Sequence, residues 1–444
     1  MTDMNLDLCT RSAAQIIGCS PEGITVCASA ARISTMQGTA LELFERSREK
    51  TNNVALVQKV LASGHKSVME HCCFNLAFNN VSIFAEQFII EFRLASYTVK
   101  SRRYVDFGGM GYYVDEAAPD ALQTLTRETA EALFARYSRL LELGIPKEDA
   151  RFVLPYCAYS NFFCTCNARE LLHMICSMQW GRGRVYPEIA ALGAQLAAQF
   201  EAYFPGVLAG EAAAYAAEPV PEAGIPLAAP QPARCTVSLP AHSAAPDALL
   251  QAAYEISGTA PDAMHRTTRP RELELLHFTY RIGGISLAAV THLVRHRMQS
   301  VLIPPVQRAA LEARYVLPES VSALPEALAL YRGAFELAGE AAKQALNLGA
   351  AEQALVYFAL SGHTLHVITD MNGRELMHFC RLRTCTRAQW EIRKIALEML
   401  RQARAAAPGA VQGFGPACYS LGRCTEGRMC CGRADEVAAQ IDSL

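Results

Sequence analysis

The chain is written twice. The stretch CNARELLHMICSMQ, from Cys166 to Gln179, returns as MNGRELMHFCRLRT, from Met371 to Thr384. Asn167, Arg169, Glu170, Leu171 and His173 recur as Asn372, Arg374, Glu375, Leu376 and His378, an offset of 205. FNLAFNNVSIFAEQFIIEFRLAS, from Phe74, returns as FTYRIGGISLAAVTHLVRHRMQS, from Phe278, with Phe74, Ser82, Arg93 and Ser96 repeated 204 residues on. EIAALGAQL from Glu188 matches EIRKIALEM from Glu391 at an offset of 203. Three segments in one order at one spacing mark a tandem duplication. The unit is about 200 residues, too long for a solenoid repeat. The join is AEPVPEAGIPLAAPQPAR, residues 217–234, whose Pro and Ala read as a linker. The expected domains are therefore residues 1–216, the linker, and residues 235–444.

Both repeats read alike. A helical stretch (TALELFERSREKTNNVALVQKVLAS) precedes FNLAFNNVS, whose period of two predicts a strand. A helix ending in a basic motif follows, RHR from Arg295 in the second repeat. Next comes a long helix, TLTRETAEALFARYSRLLELG, with Gly144 as its natural C-cap. Two more helices complete the unit, the second opening near NARELLH or NGRELMH. The fold class is α+β: two tandem units, each of helices packed around a small, mainly antiparallel sheet.

A length of 444 residues suits two to three domains, and a net charge of −2 favours no polyanion partner, so no nucleic acid is expected. The opening MTDMNLDLCTRSAAQ carries acids and no apolar core, which argues against a secretory leader. No run of eighteen apolar residues suggests a membrane span. Sixteen cysteines without a leader then point to reduced thiols or metal ligands and to the cytoplasm. Neither a G-x-G-x-x-G after a strand nor a P-loop is present, which argues against the usual nucleotide folds.

The second repeat carries VRHRMQS, from Val294, at the end of the apolar stretch ISLAAVTHLV. Arg and His at a helix C-terminus can simply answer the dipole. An apolar flank makes burial the stronger expectation, and buried cations need anions. Arginine offers a planar fork suited to phosphate.

These blocks resemble the flavin-dependent thymidylate synthase family, whose signature is RHR-x-x-S-x-N-E-x-S-x-R-Y. RHRMQS is similar to its first half. SYTVKSRRY, from Ser96 to Tyr104, is similar to its second half, with Thr98 and Val99 in place of Asn-Glu. GHKSVMEHCCF (Gly64 to Phe74), ARFVLP (Ala150 to Pro155) and NARELLH resemble further blocks. NGRELMHFCRLRTCTRAQWEIR, from Asn372 to Arg393, is the most specific match.

The departures are complementary. The first repeat has Glu91 and Phe92 in place of Arg-His, and Met178 in place of the family's pyrimidine-contacting arginine. It keeps Ser34, His65, Ser67, Glu70, Ser101, Arg103 and Arg151. The second keeps Glu274, Arg295, His296, Arg297, Asn372, Arg374, His378 and Arg383. It has lost the first His (Arg269 stands near there), the S-x-R pair (Pro305 and Gln307) and the arginine before VLP, where Leu355 stands. Family sites are built where subunits of a homotetramer meet. The resemblance therefore implies one composite site to which each repeat gives its share, in a homodimer equivalent to that tetramer.

On this reading FAD falls to Arg295, His296, Arg297, Asn372, Arg374 and His378, with Ser34, Ser67 and Glu70. The phosphate of dUMP falls to Ser101, Arg103 and Arg151, and the uracil to Arg383. Arg383 and His65 take the catalytic places. The implied reaction is reductive methylation of dUMP to dTMP, with methylenetetrahydrofolate and NADPH as co-substrates. The other reading is decay, leaving flavin or nucleotide binding without thymidylate synthesis, or with an altered reaction. Loss of the family's Glu in both repeats counts toward it.

The C-terminal stretch ACYSLGRCTEGRMCCGR adds a separate feature. Cys418, Cys424 and Cys430, with Cys385 upstream, are expected to hold a structural zinc ion, with an iron–sulfur cluster as the alternative. The spacing is not C-x-x-C, and Cys385 also reads as a buried small apolar residue.

Overall fold

The computed structural model describes residues 11–220, 222–259 and 270–444. Arg269 and the first ten residues of the opening stretch lie outside them.

In the first repeat, β1 (Ala13–Cys19) precedes α1 (Gly23–Ile33), α2 (Ala40–Arg48) and α3 (Asn53–Ala62). A 3-10 turn, Lys66–His71, leads into β2 (Cys73–Ser82) and α4 (Ile83–Ile90). Then come β3 (Ala95–Val99), the long α5 (Asp120–Glu142), β4 (Tyr159–Asn167), α6 (Ala168–Gln179) and α7 (Pro187–Phe200). The second repeat gives β5 (Thr236–His242), α8 (Pro246–Ser257), β6 (His277–Ser286), α9 (Leu287–Leu293) and β7 (Gln299–Leu302). It continues with α10 (Pro325–Asn347), β8 (Thr364–Asn372), α11 (Gly373–Arg383) and α12 (Trp390–Ala406), and ends on α13 (Ala434–Asp442).

The two sheets have one topology. Their orders are β1-β2-β4-β3 and β5-β6-β8-β7, antiparallel throughout. Cys73 pairs with Asn167 where β2 meets β4, and His277 pairs with Asn372 where β6 meets β8. The same buried device joins strand to helix in each. Ser82 caps α4 and donates its N–H (2.7 Å) and Oγ–H (2.5 Å) to Glu188. Ser286 caps α9 and donates to Glu391 at the same two distances. Each carboxylate thus satisfies two donors that the fold removes from water.

One expectation fails in detail. Two helices were expected after α5, the second opening at NARELLH. The first is only the four-residue turn Lys147–Ala150, and the strand β4 follows it. The strand YSNFFCTCN mixes polar and aromatic residues, which hides its alternation, yet its inward residues are buried in turn. It is one of the two central strands of its sheet, so its long-range pairing decides its state.

By contacts the chain forms two compact units. Unit 1 runs to Leu227 and includes Ala323–Leu360; unit 2 takes Ala228–Ser322 and Ser361–Leu444. The long helix of the second repeat, α10, therefore belongs to unit 1, where it packs along α5. Both helices run for 23 residues and both end at a glycine of positive φ, Gly144 and Gly349. Glycine adopts that conformation without steric cost. The edge strand β1 is covered by α7: Gln195 and Gln199 accept from the N–H groups of Ala14 (2.8 Å) and Ile16 (2.7 Å). This blunts a row of unpaired backbone groups.

Candidate active site

In unit 2 the chain leaves α9 at Val294 and turns into β7 at Gln299, so Arg295–Met298 form the connecting loop. Beside β7, β8 ends at Asn372, whose side chain accepts from the Glu375 N–H (2.8 Å) and starts α11. The loop and the N-terminal turns of α11 enclose a cavity of about 350 Å³. Arg295, His296 and Arg297 line it from the loop; Asn372, Arg374 and His378 line it from the helix. All six residues that the sequence assigns to the second repeat's flavin share are thus gathered around one space. Glu274, Met298 and Glu375 complete the wall, and Glu274 holds Arg374 in an ion pair.

His296 is buried beneath the two exposed arginines. Its Nδ1 lies 2.9 Å from Glu375 Oε1, and its Nε2 accepts from Nε of Arg383 at 2.9 Å. An Nε2 that accepts must be unprotonated, so Nδ1 carries the proton and donates it to Glu375. Burial, then the positive Arg383 and His378, hold the His296 pKa well below the ordinary histidine value. Burial pushes the Glu375 carboxyl upward, opposed by His378, Arg374 and Arg297. Arg383 also donates to the His292 carbonyl at 3.3 Å. This Arg–His–Glu chain ties the last turn of α11 to its first. Arg383 is positioned by it without lining the cavity.

A family sequence profile described as "Thymidylate synthase complementing protein" matches residues 15–206 and again residues 251–409. The chain belongs to this family. It carries the family unit twice, as the two matches and the repeated topology show. It is 38% identical over 168 residues to the flavin-dependent thymidylate synthase of Geobacter sulfurreducens, covering 37% of this chain and 72% of that one. It is 33% identical over 183 residues to the same enzyme of Clostridium tetani, covering 37% and 73%. Among solved structures, it is similar to a UMP/dUMP methylase, PolB, from Streptomyces cacaoi bound with 5-Br dUMP. That similarity is 25% identity at a TM-score of 0.37, over 46% of this chain and 96% of that one. Thymidylate synthase X from Helicobacter pylori, with FAD and dUMP, gives 18% identity at a TM-score of 0.37, over 45% and 99%.

The first thymidylate synthase-like unit treats the equivalent place differently. Phe92, where the second repeat has His296, is buried and packs edge-on against His173, with ring centroids 5.2 Å apart. His173 is bonded to the Tyr215 hydroxyl (2.7 Å). Glu170, the counterpart of Glu375, accepts the Leu94 N–H at 3.1 Å instead of an imidazole. Glu91 takes Arg182 (2.8 Å), whose guanidinium sits 4.5 Å from the Phe88 ring centre. Met178, in place of Arg383, is fully buried. Cation, imidazole and guanidinium are replaced together by groups that satisfy one another.

Unit 1 gathers a different set. Arg103 pairs with Glu148, Arg151 Nε donates to the Glu148 carbonyl (3.1 Å), and the Arg103 N–H donates to Ser101 Oγ (3.3 Å). Of the three residues assigned to the nucleotide phosphate, Arg103 and Arg151 thus meet Glu148, and Ser101 meets the backbone of Arg103. Glu70 is ion-paired with Arg169 (2.6 Å), the counterpart of Glu274 with Arg374. His65 and Ser67 are exposed on the 3-10 turn before β2, and Ser34 is exposed at the end of α1.

Sequence reasoning missed Glu375 and Glu148 as site residues. Glu375 stands three residues after Asn372, which reads as a helix cap; its carboxylate faces His296. Cys385, Cys418, Cys424 and Cys430 do share one cavity, but among the described residues no three His, Cys, Asp or Glu groups already stand as a metal site.

Proposed function

We propose that this chain is an FAD-dependent thymidylate synthase that methylates dUMP reductively, with methylenetetrahydrofolate as carbon donor and NAD(P)H as reductant. The observation that carries the reading is the 350 Å³ cavity of unit 2, where three arginines, Asn372 and the start of α11 converge. A helix N-terminus with arginine forks suits a diphosphate-bearing ligand. Bound FAD supplies the hydride chemistry; the chain binds and orients it. Arg295 and Arg297 hold its anionic groups, and Arg374, kept in place by Glu274, adds a third fork. Neutral His296 fixes Arg383, which addresses the uracil carbonyl edge.

The first repeat's share is the nucleotide phosphate, on Ser101, Arg103 and Arg151, with His65, Ser67, Glu70 and Ser34 in supporting places. Its other half is filled by Phe92, Tyr215 and Arg182, which supports one flavin per chain in a homodimer. The test is flavin titration with dUMP-dependent tritium release from uracil C5. Expected are one FAD per chain and release that needs dUMP. Arg297→Ala empties the flavin roughly tenfold to a hundredfold, from a charged hydrogen bond of about 1.5–3 kcal/mol. Arg103→Ala leaves the protein yellow and weakens dUMP. Two FAD per chain, or Arg93→Ala emptying a protein that Arg297→Ala leaves full, overturns the division. Flavin bound without tritium release establishes the decayed reading instead.

A further inference from the structure

The segment from Ala417 to Arg433 contains no buried residue, yet it follows a defined path along the end of α11. Arg381 Nε donates to Ser420 Oγ (3.2 Å), and Arg387 Nε donates to the Met429 carbonyl (2.5 Å). A stretch of this length with no apolar core lacks the usual source of order. What it has is sulfur. Cys385, from the turn just after α11, and Cys418, Cys424, Cys430 and Cys431, from the segment itself, line one cavity of about 150 Å³. All five thiols are free.

Two of the sulfurs accept backbone amides. Cys385 Sγ receives the N–H of Arg387 (3.5 Å), two residues on. Cys430 Sγ receives that of Gly432 (3.5 Å), at the same spacing. Arg381, Arg387 and Arg433 also line the cavity and bring positive charge to it. Gly422, Gly427 and Gly432 all have positive φ, which lets so short a loop fold back on itself around a centre.

We infer that Cys385, Cys418, Cys424 and Cys431 form a structural site for one tetrahedral zinc ion, which fastens the C-terminal segment to the end of α11. Binding converts four thiols and Zn²⁺ into a tetrathiolate of charge 2−, releasing up to four protons, and the arginines offset that charge. No redox partner is needed. In the described structure the thiols have not closed to ligand distance, so the ion draws them together. Cys431, not Cys430, is the fourth ligand. Cys431 is half-buried. Cys430 is exposed. Cys385 lies two residues past Arg383, so the ion also anchors the turn that carries that guanidinium.

The test is metal analysis of the full-length protein, purified without chelator, with cobalt substitution as a second readout. Expected is about one zinc per chain, and cobalt protein with the intense visible bands of a tetrahedral thiolate site. Cys424→Ser and Cys431→Ser lose the zinc while keeping the far-UV circular dichroism of the parent. Cys430→Ser keeps it. Metal-free fresh protein that takes up neither zinc nor cobalt overturns the site. So does iron with visible absorption, which would mean a cluster. Zinc lost in Cys430→Ser and retained in Cys431→Ser overturns the ligand set. None of these outcomes depends on flavin binding or on thymidylate synthesis.

Discussion

Nδ1 of His296 stands 2.9 Å from Oε1 of Glu375, with both side chains buried. The contact sets which imidazole nitrogen carries the proton, and so leaves Nε2 as the acceptor that holds Arg383 at 2.9 Å. A guanidinium at the end of α11 is thus placed by a carboxylate near the helix start. In the first repeat the partners became Phe92 and Met178, and Glu170 found a backbone amide. The loss is of a working set, not of scattered residues.

Glu375→Ala should therefore free the tautomer and loosen Arg383. Turnover should fall roughly tenfold to a hundredfold, as for a charged hydrogen bond of about 1.5–3 kcal/mol. Glu375→Gln should recover much of it, because an amide oxygen still accepts Nδ1–H. Imidazole nitrogen chemical shifts of His296 give the tautomer directly, and steady-state kinetics separate kcat from the KM for dUMP. An unchanged tautomer in Glu375→Ala would remove Glu375 from this role.

Much of this was legible in the sequence because the duplication compares the chain with itself. The topology class followed from repeated blocks, and the six residues that line the unit 2 cavity from the likeness of RHRMQS and NGRELMH to the family's blocks. What was not legible depends on contacts distant along the chain. Strand β4 is made by its neighbours on both sides, and its own pattern is too mixed to announce it. Of the paired arginines in SRRY, Arg102 is buried against Glu86 and is structural, whereas Arg103 faces Glu148. Adjacent identical residues on an irregular segment give no sequence signal for which one turns inward.

Glu148 competes with any anion for Arg103. Glu148→Gln keeps the shape and removes the competing charge, so a nucleotide monophosphate should bind several-fold more tightly at low salt. The gain should shrink as salt rises, because the pair is partly exposed and screened. Calorimetric titration with dUMP at two ionic strengths checks both parts. Weaker binding would mean that Glu148 orients Arg103 for its ligand.

His363 gives unit 2 an acid sensitivity. Burial alone lowers its pKa from 6.5 to about 3. Below 6.5 the unfolded chain binds a proton that the folded chain refuses, so stability is full above that value and falls as the pH drops toward 3. By pH 5 this amounts to about 2 kcal/mol. His363→Gln should flatten that part of the profile, measured as urea midpoints at pH 7 and pH 5. Identical slopes in parent and variant would show that the imidazole is protonated in the fold.

The buried pair Arg102–Glu86 offers the sharpest comparison, because the duplication has already run half of the experiment. Arg102 grips both carboxylate oxygens of Glu86, at 2.6 and 3.0 Å, and Ser160 donates to the same carboxylate at 2.5 Å. In the second repeat the corresponding residues are Val290, Val306 and Leu365, all buried. A buried ion pair recovers little beyond its desolvation cost, but breaking one partner leaves a stranded charge. Arg102→Ala should therefore destabilise unit 1 by about 3–5 kcal/mol. The triple change Glu86→Val, Arg102→Val, Ser160→Leu should restore most of that loss or exceed the parent. Chemical denaturation followed by near-UV circular dichroism reports both variants. If the triple variant is as unstable as the single one, the pair does more than fill its space, and the apolar set of the second repeat depends on neighbours that the first repeat lacks.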